Sequence, residues 1–222
     1  MIKLLELIYF AVSVLAFGYA GLQFFHKESP KYFQLYACAA GCYMLEELWV
    51  IVNSLLGNGL ESGLLTVRLF GFFGCLCFML SANVNEFDRV VDEGKNKKAA
   101  IPALAFPFLL LLFFSLYAFS PLNTEPDSVT VFGLISLSPA LAAAYFSAKH
   151  LFLPEDALGL LRITRKVDIL ALIFYGENFL YPFVNLYLSG RALSVCDLIL
   201  TGTLFALILS CGKGARQWKA LI

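Results

Sequence analysis

Residues 42–53 read CYMLEELWVIVN and put two adjacent carboxylates, Glu46 and Glu47, inside a long apolar run. In a core helix of a soluble protein such acids would turn to water. In a helix that crosses a bilayer each is expensive and marks a functional position. The solvent therefore decides the reading. Of the 222 residues, 60% are hydrophobic and 14% charged, and the mean hydropathy is +0.79. Soluble domains carry about 25% charged residues, so the composition is that of a chain dissolved in lipid.

Working outward from this run, seven segments approach the ~20 residues that cross a ~30 Å hydrocarbon core. They are 4–24, 33–57, 63–85, 99–119, 129–148, 167–188 and 193–211. Short connections join them and no soluble domain is left over. The expectation is an all-α polytopic membrane protein, a single seven-helix transmembrane domain over residues 1–222. Lys3 before LLELIYFAVSVLAFGYAG imitates a signal peptide. The length of the run, its interruption by Glu6 and the lack of a small-x-small cleavage site make it the first span instead.

The net charge is zero, which gives no reason to expect a nucleic-acid partner. Its distribution is more informative. Thirteen of the sixteen Lys and Arg residues, Lys95, Lys97, Lys98, Arg162, Arg165 and Lys166 among them, fall in connections on one side; Lys3 and Arg191 fall on the other, and Arg68 lies inside a span. The positive-inside rule then sets the N-terminus outside and the C-terminus in the cytoplasm, in a plasma membrane or a bacterial inner membrane. The six cysteines lie within or at the ends of spans and read as packing residues. His26 and His150 fall at cytoplasmic helix ends, so no histidine is expected inside a span to complete a metal site with Cys38 and Cys42 or to ligate haem. No cofactor is expected.

Two pairs of segments echo each other. FFHKESPKYF (24–33) aligns with SAKHLFLPED (147–156) through His26/His150 and Pro30/Pro154, and EELWVIVNSLLGNGLESG (46–63) resembles ENFLYPFVNLYLSGRALS (177–194). The first three spans would thus repeat as the last three, with the fourth as connector. This 3+1+3 order with its N-terminus outside is similar to that of SWEET-type transporters and, more distantly, to the seven-helix opsins. The resemblance covers architecture alone: the Pro-Gln pairs of the wider PQ-loop group are absent, and the last span has no lysine for a retinal Schiff base.

Depth follows from the ~1.5 Å rise per residue. Glu46, Glu47, Arg68 and Asp197 fall in the outer half, with Glu177 and Asn178 near the midplane and Asn185 above them. At 100° per residue, Cys38, Cys42, Glu46, Trp49 and Asn53 form one stripe, and Tyr36, Tyr43, Glu47 and Ser54 an adjacent one. Glu177, Tyr181 and Asn185 share a face, as do Ser194, Asp197 and Thr201. Polar stripes in membranes face a bundle interior or a water-filled cavity. The candidate ligand- or ion-binding set is therefore Glu46, Glu47, Asn53, Arg68, Glu177, Asn178, Asn185 and Asp197, around a pocket that opens outward. Glu46 is taken to face it, and Glu47 to pair with Arg68 or pack on Tyr43. Four acids against one base must be relieved by protonation or by a cation. Pro102, Pro107, Pro139 and Pro182 mark kinks. The inner half reads as apolar, FGFFGCLCFML (70–80) and LTGTLFALILSC (200–211).

These features point to a membrane transporter or ion-coupled carrier for a proton, a cation or a small cationic solute. The alternatives are a receptor-like sensory module, or an accessory subunit that signals through a membrane or cytoplasmic partner protein. No nucleophile–base pair is recognisable, so an enzyme is not expected.

Overall fold

The computed structural model describes residues 4–25, 30–56, 64–83, 97–123, 127–153, 160–187 and 191–221. Among them there are eight helical segments and no strand: α1 (Leu4–Phe24), α2 (Lys31–Leu55), α3 (Leu64–Asn83), α4 (Lys97–Ala103), α5 (Ala105–Ala118), α6 (Asp127–Phe152), α7 (Leu160–Tyr187) and α8 (Arg191–Leu221). His26, Asn85, Glu86, Pro154 and most of the basic loop after α3 lie outside the described residues.

Five stretches are long and apolar enough to cross a membrane: Glu6–Phe24, Lys31–Leu55, Lys98–Ala118, Thr164–Val184 and Ser194–Gln217. They mark the chain as an integral membrane protein. In α3 the apolar stretch is shorter, Thr66–Ser81. α6 is 26 residues long but rich in alanine and serine, and it packs against α3, α4, α5 and α7. A helix walled by protein on so many sides needs little greasy surface of its own. Both α7 and α8 run beyond the expected apolar windows, into LRITRKV and RQWKAL, because backbone hydrogen bonding does not stop where the side chains turn polar.

Of the four prolines expected to kink, only one region breaks. Pro107 has no N–H to give the Ala103 carbonyl, and the helix is interrupted at Leu104, whose own N–H bonds to the Ile101 carbonyl in a tighter turn. Pro139 and Pro182 sit inside continuous helices.

Six helices close a ring in the order α1, α2, α3, α6, α7, α8 and back to α1, while α5 lies outside it against α6 and α7. Neighbours in α2/α3 run antiparallel: Glu46 lies by Gly71, Tyr43 by Gly74 and Tyr36 by Phe78. The same holds for α7/α8, where Glu177 meets Thr203 and Tyr181 meets Asp197. α1 and α8 are parallel, Tyr9 lying near Asp197 and Tyr19 against Gly212. All of α1, α3, α6 and α8 therefore begin at one end of the bundle, the amino face, and finish at the other, the carboxyl face.

The packing is that of a membrane bundle. Small residues such as Ala37, Ala40, Ala143 and Ala144 are fully buried at helix seams, and Leu22, Ile101 and Phe119 stand 76%, 73% and 88% exposed around the outside. Close seams built on small residues supply van der Waals contact that lipid exclusion cannot. At Gly41 an added β-carbon would lie 2.9 Å from the Phe17 ring, and at Gly74 it would lie 2.9 Å from the Tyr43 ring. Inside the ring, Phe78 packs edge-on against Tyr36, Phe174 and Tyr175, and Tyr43 is tilted beside it. These rings form an aromatic layer across the middle of the bundle.

Candidate functional site

On the amino-face side of that layer the polar stripes of five helices converge. Two stripes of α2 part company here. The Glu46 stripe turns to α3, where Gly71 leaves room for the carboxylate: a β-carbon there would lie 3.6 Å from Oε2 and 3.9 Å from Oε1. The Arg68 guanidinium, one turn earlier on α3, acts on Glu46 across this seam. Glu47, the next residue, feels the carboxylates of Glu46, of Glu6 on α1 and of Asp197 on α8. The Tyr43 hydroxyl, one turn before Glu47, is 3.7 Å from Cys75 Sγ.

At the centre stands Tyr9 of α1, reached by the charges of Glu47, Glu46, Asp197 and Glu177. The Tyr181 hydroxyl hydrogen-bonds Asp197. Thr203 Oγ1 donates to Glu177 Oε1 at 3.2 Å, while Glu177 Oε2 is buried with no hydrogen-bond partner among the described residues. The indole N–H of Trp49, one turn after Glu46, is likewise buried without one. Buried polar atoms left unsatisfied are uncommon, and a bound ligand, ion or ordered water is what ordinarily completes them.

The expected residues are thus distributed as follows. Glu46, Glu47, Arg68, Glu177 and Asp197 are brought together. Asn53 is buried in the last turns of α2. Asn178 spends its amide on its own helix, donating to the Phe174 carbonyl at 2.9 Å. The side chain of Asn185 lies outside the described residues. Three contributors were not anticipated as site residues: Glu6, Tyr9 and Thr203. Glu6 and Tyr9 are three apart on one face of α1, a spacing that is present in the sequence but masked by the apolarity of the residues around it.

Beyond the aromatic layer the expectation of an apolar inner half needs correcting. The inner halves of α3 and α8 are apolar, whereas the polar groups there come from α2, α6 and α7. His150 does not end its helix in solvent: it is fully buried, with Nδ1 3.4 Å from Asp168 Oδ2, the two side chains being 0% and 1% exposed. Tyr32 donates to Tyr36 at 3.4 Å nearby, and the Asp168 charge reaches Tyr32, Tyr36, Tyr175 and Cys211. All six cysteines are free thiols. A separate cavity of about 300 Å³, lined by Phe25, Lys31, Gln34, Leu35, Cys38 and Leu80, opens near the carboxyl face and contains none of the expected site residues.

Among the described residues, no three His, Cys, Asp or Glu side chains converge as a metal cage. Set beside known protein families, curated proteins and solved structures, the chain matches none of them.

Proposed function

We propose that this protein is a seven-span membrane carrier for a proton or a small cation, with the acid cluster as its outward-facing binding site. The observation that carries the reading is the charge balance inside the ring. Glu46, Glu47, Glu177 and Asp197 gather around Tyr9, Glu6 acts on Glu47, and Arg68 is the base acting on Glu46. Such an excess at low dielectric is costly for a structure that only needs glue between helices, and a transported cation or proton relieves it. The absence of a three-ligand cage among the described residues favours a proton or a monovalent or organic cation over a transition metal.

Seven spans are supported by the alternation of helix directions, which gives α3 and α6 the same through-going role as the five longer stretches. The uneven distribution of Lys and Arg supports an outer amino face and a cytoplasmic carboxyl face. A 3+1+3 repeat is supported by the ring itself, in which α1–α3 and α6–α8 are contiguous arcs and the α4–α5 limb is left outside. The aromatic layer between the two polar clusters then serves as the barrier of an alternating-access cycle. A receptor-like module has one observation in its favour, the same layer taken as the floor of a dead-end site.

Uptake into proteoliposomes under imposed pH and cation gradients tests the proposal, with wild type beside Glu47→Gln and Glu177→Gln and with the melting temperature of each. Gradient-driven uptake that falls at least about tenfold in variants of unchanged stability is the expected result. Wild type that transports nothing under any gradient, yet melts higher when an external cation is added, would overturn the carrier and support the receptor-like reading.

A further inference from the structure

The buried pair at the carboxyl face has no part in the outward site. His150 lies in the last turn of α6 and Asp168 in the third turn of α7, so the pair staples the two helices near the end where they meet. A staple of this kind is a poor device for stability alone. Taking two ionisable groups out of water costs more than their attraction returns unless their geometry is excellent, and apolar side chains of equal volume hold such seams as well or better. The geometry here is not tight: 3.4 Å is longer than the about 2.7–2.9 Å of a charge-assisted hydrogen bond. The pair stands at ion-pair distance without being clamped by a hydrogen bond between its two members.

The groups facing it are all capable of carrying or polarising a proton. Tyr32 and Tyr36 come from α2, Tyr175 from the next turns of α7, and Cys211 from α8. Of the fixed charges nearby, Lys149 precedes His150 on α6 and is 7% exposed, and Arg165 on α7 donates through Nη2 to the Leu153 carbonyl at 3.1 Å. Phe78 covers the cluster from the α3 side, against Tyr36 and Tyr175. Val167 and Ala171, fully buried, leave the site closed to any bulky ligand. A proton needs no cavity.

We propose that His150 and Asp168 form an inner proton-binding site, exchanging with the carboxyl-face solution and separated from the outer acids by the aromatic layer. In the resting state the pair holds one proton between its two members. Loss of that proton leaves a neutral imidazole beside a buried carboxylate; gain of a second leaves an imidazolium beside a neutral acid. Either change alters the attraction between α6 and α7 at the end where they meet. Coupling of that event to the outer site rests on the carrier reading, whereas the proton site itself rests on the pair and its surroundings.

The test uses the full chain in lipid nanodiscs. The sequence has two histidines, so in a His26→Gln background the imidazole nitrogen resonances belong to His150 alone. Between about pH 5 and 9 the His150 resonances are expected to move from one protonation form to another, and Asp168→Asn is expected to change the midpoint proton affinity at least about tenfold. Asp168→Glu, which keeps the charge, restores titration if the Asn variant does not fold. A His150 resonance that stays in one form across the range, in wild type and in a folded Asp168 variant alike, would overturn the proposal. Failure of the two readings is distinguishable: titration of His150 in a protein that moves nothing sinks the carrier and leaves the proton site, and gradient-driven uptake with a silent His150 does the reverse.

Discussion

Tyr9 shows how much can hang on one hydroxyl. Its ring packs among apolar neighbours of the core, and its oxygen stands where the charges of four acids meet. Tyr9→Phe keeps the ring and deletes the donor, so its effect is expected on ligand affinity, at about tenfold or more, with a melting temperature close to wild type. Direct binding measured by calorimetry on the detergent-solubilised protein checks this. At the opposite face the expectation concerns stability. Asp168→Ala strands His150 in a dry site and should lose about 3–5 kcal/mol, while the double change His150→Leu with Asp168→Leu should lose much less, since it removes both charges together. Denaturation of the single and double variants decides between a paired site and two independent residues. The sequence made Glu46, Glu47, Arg68, Glu177 and Asp197 visible because a charge inside an apolar run stands out. It could not tell which glutamate meets Arg68, because adjacent residues differ by only 100° and the choice depends on where α3 packs. Tyr9 was hidden among the aromatic residues of a lipid-facing span, and His150 was hidden by lying in the last turn of its helix.

At the scale of the helix, what matters is how closely the backbones approach. Gly74 sits under the Tyr43 ring, and Gly18 has open space where a β-carbon would go. The same substitution should therefore act with opposite sign. Gly74→Ala forces the ring to shift and is expected to destabilise by about 1–3 kcal/mol, and Gly18→Ala should be neutral or stabilise by up to about 1 kcal/mol through helix propensity. Thermal melts of the two variants side by side suffice. Element boundaries were legible to within a few residues for α1, α2 and α3, where apolar windows coincide with the hydrogen-bonded helix. They were less so for α7 and α8, whose polar extensions carry no apolar signal. The prolines separated in a way that composition cannot anticipate: the break at Leu104 falls on an outer limb, where few neighbours enforce continuity, and Pro139 and Pro182 are carried through by helices packed into the ring.

The whole bundle is a ring with a detached limb. Seven spans with the amino face outside predict that maleimide reagents added to intact cells will label a single cysteine placed in the connection 57–63 of a cysteine-free variant and will not label one placed at 154–159. The reverse pattern would invert the orientation, and labelling of both would break the span count. This level of organisation was half visible in the sequence. Apolar length located the long apolar helices, but which helices touch is a matter of surface shape, and the outlying position of α4 and α5 appears only when the ring is closed.

The layer formed by Phe78 with Tyr36, Tyr43, Phe174 and Tyr175 separates two clusters that are both rich in polarisable groups. A transmembrane voltage falls most steeply where polarisable matter is thinnest, so this narrow belt of rings is where the electric field of the membrane would be concentrated. One elementary charge taken through the full potential is worth about 2.3 kcal/mol per 100 mV. A proton or cation crossing this belt would feel most of that within the thickness of a few side chains. In the proposed carrier, turnover should then speed up or stall with membrane potential even at equal concentrations on both sides, and replacing Phe78 with alanine should spread the field and flatten that dependence.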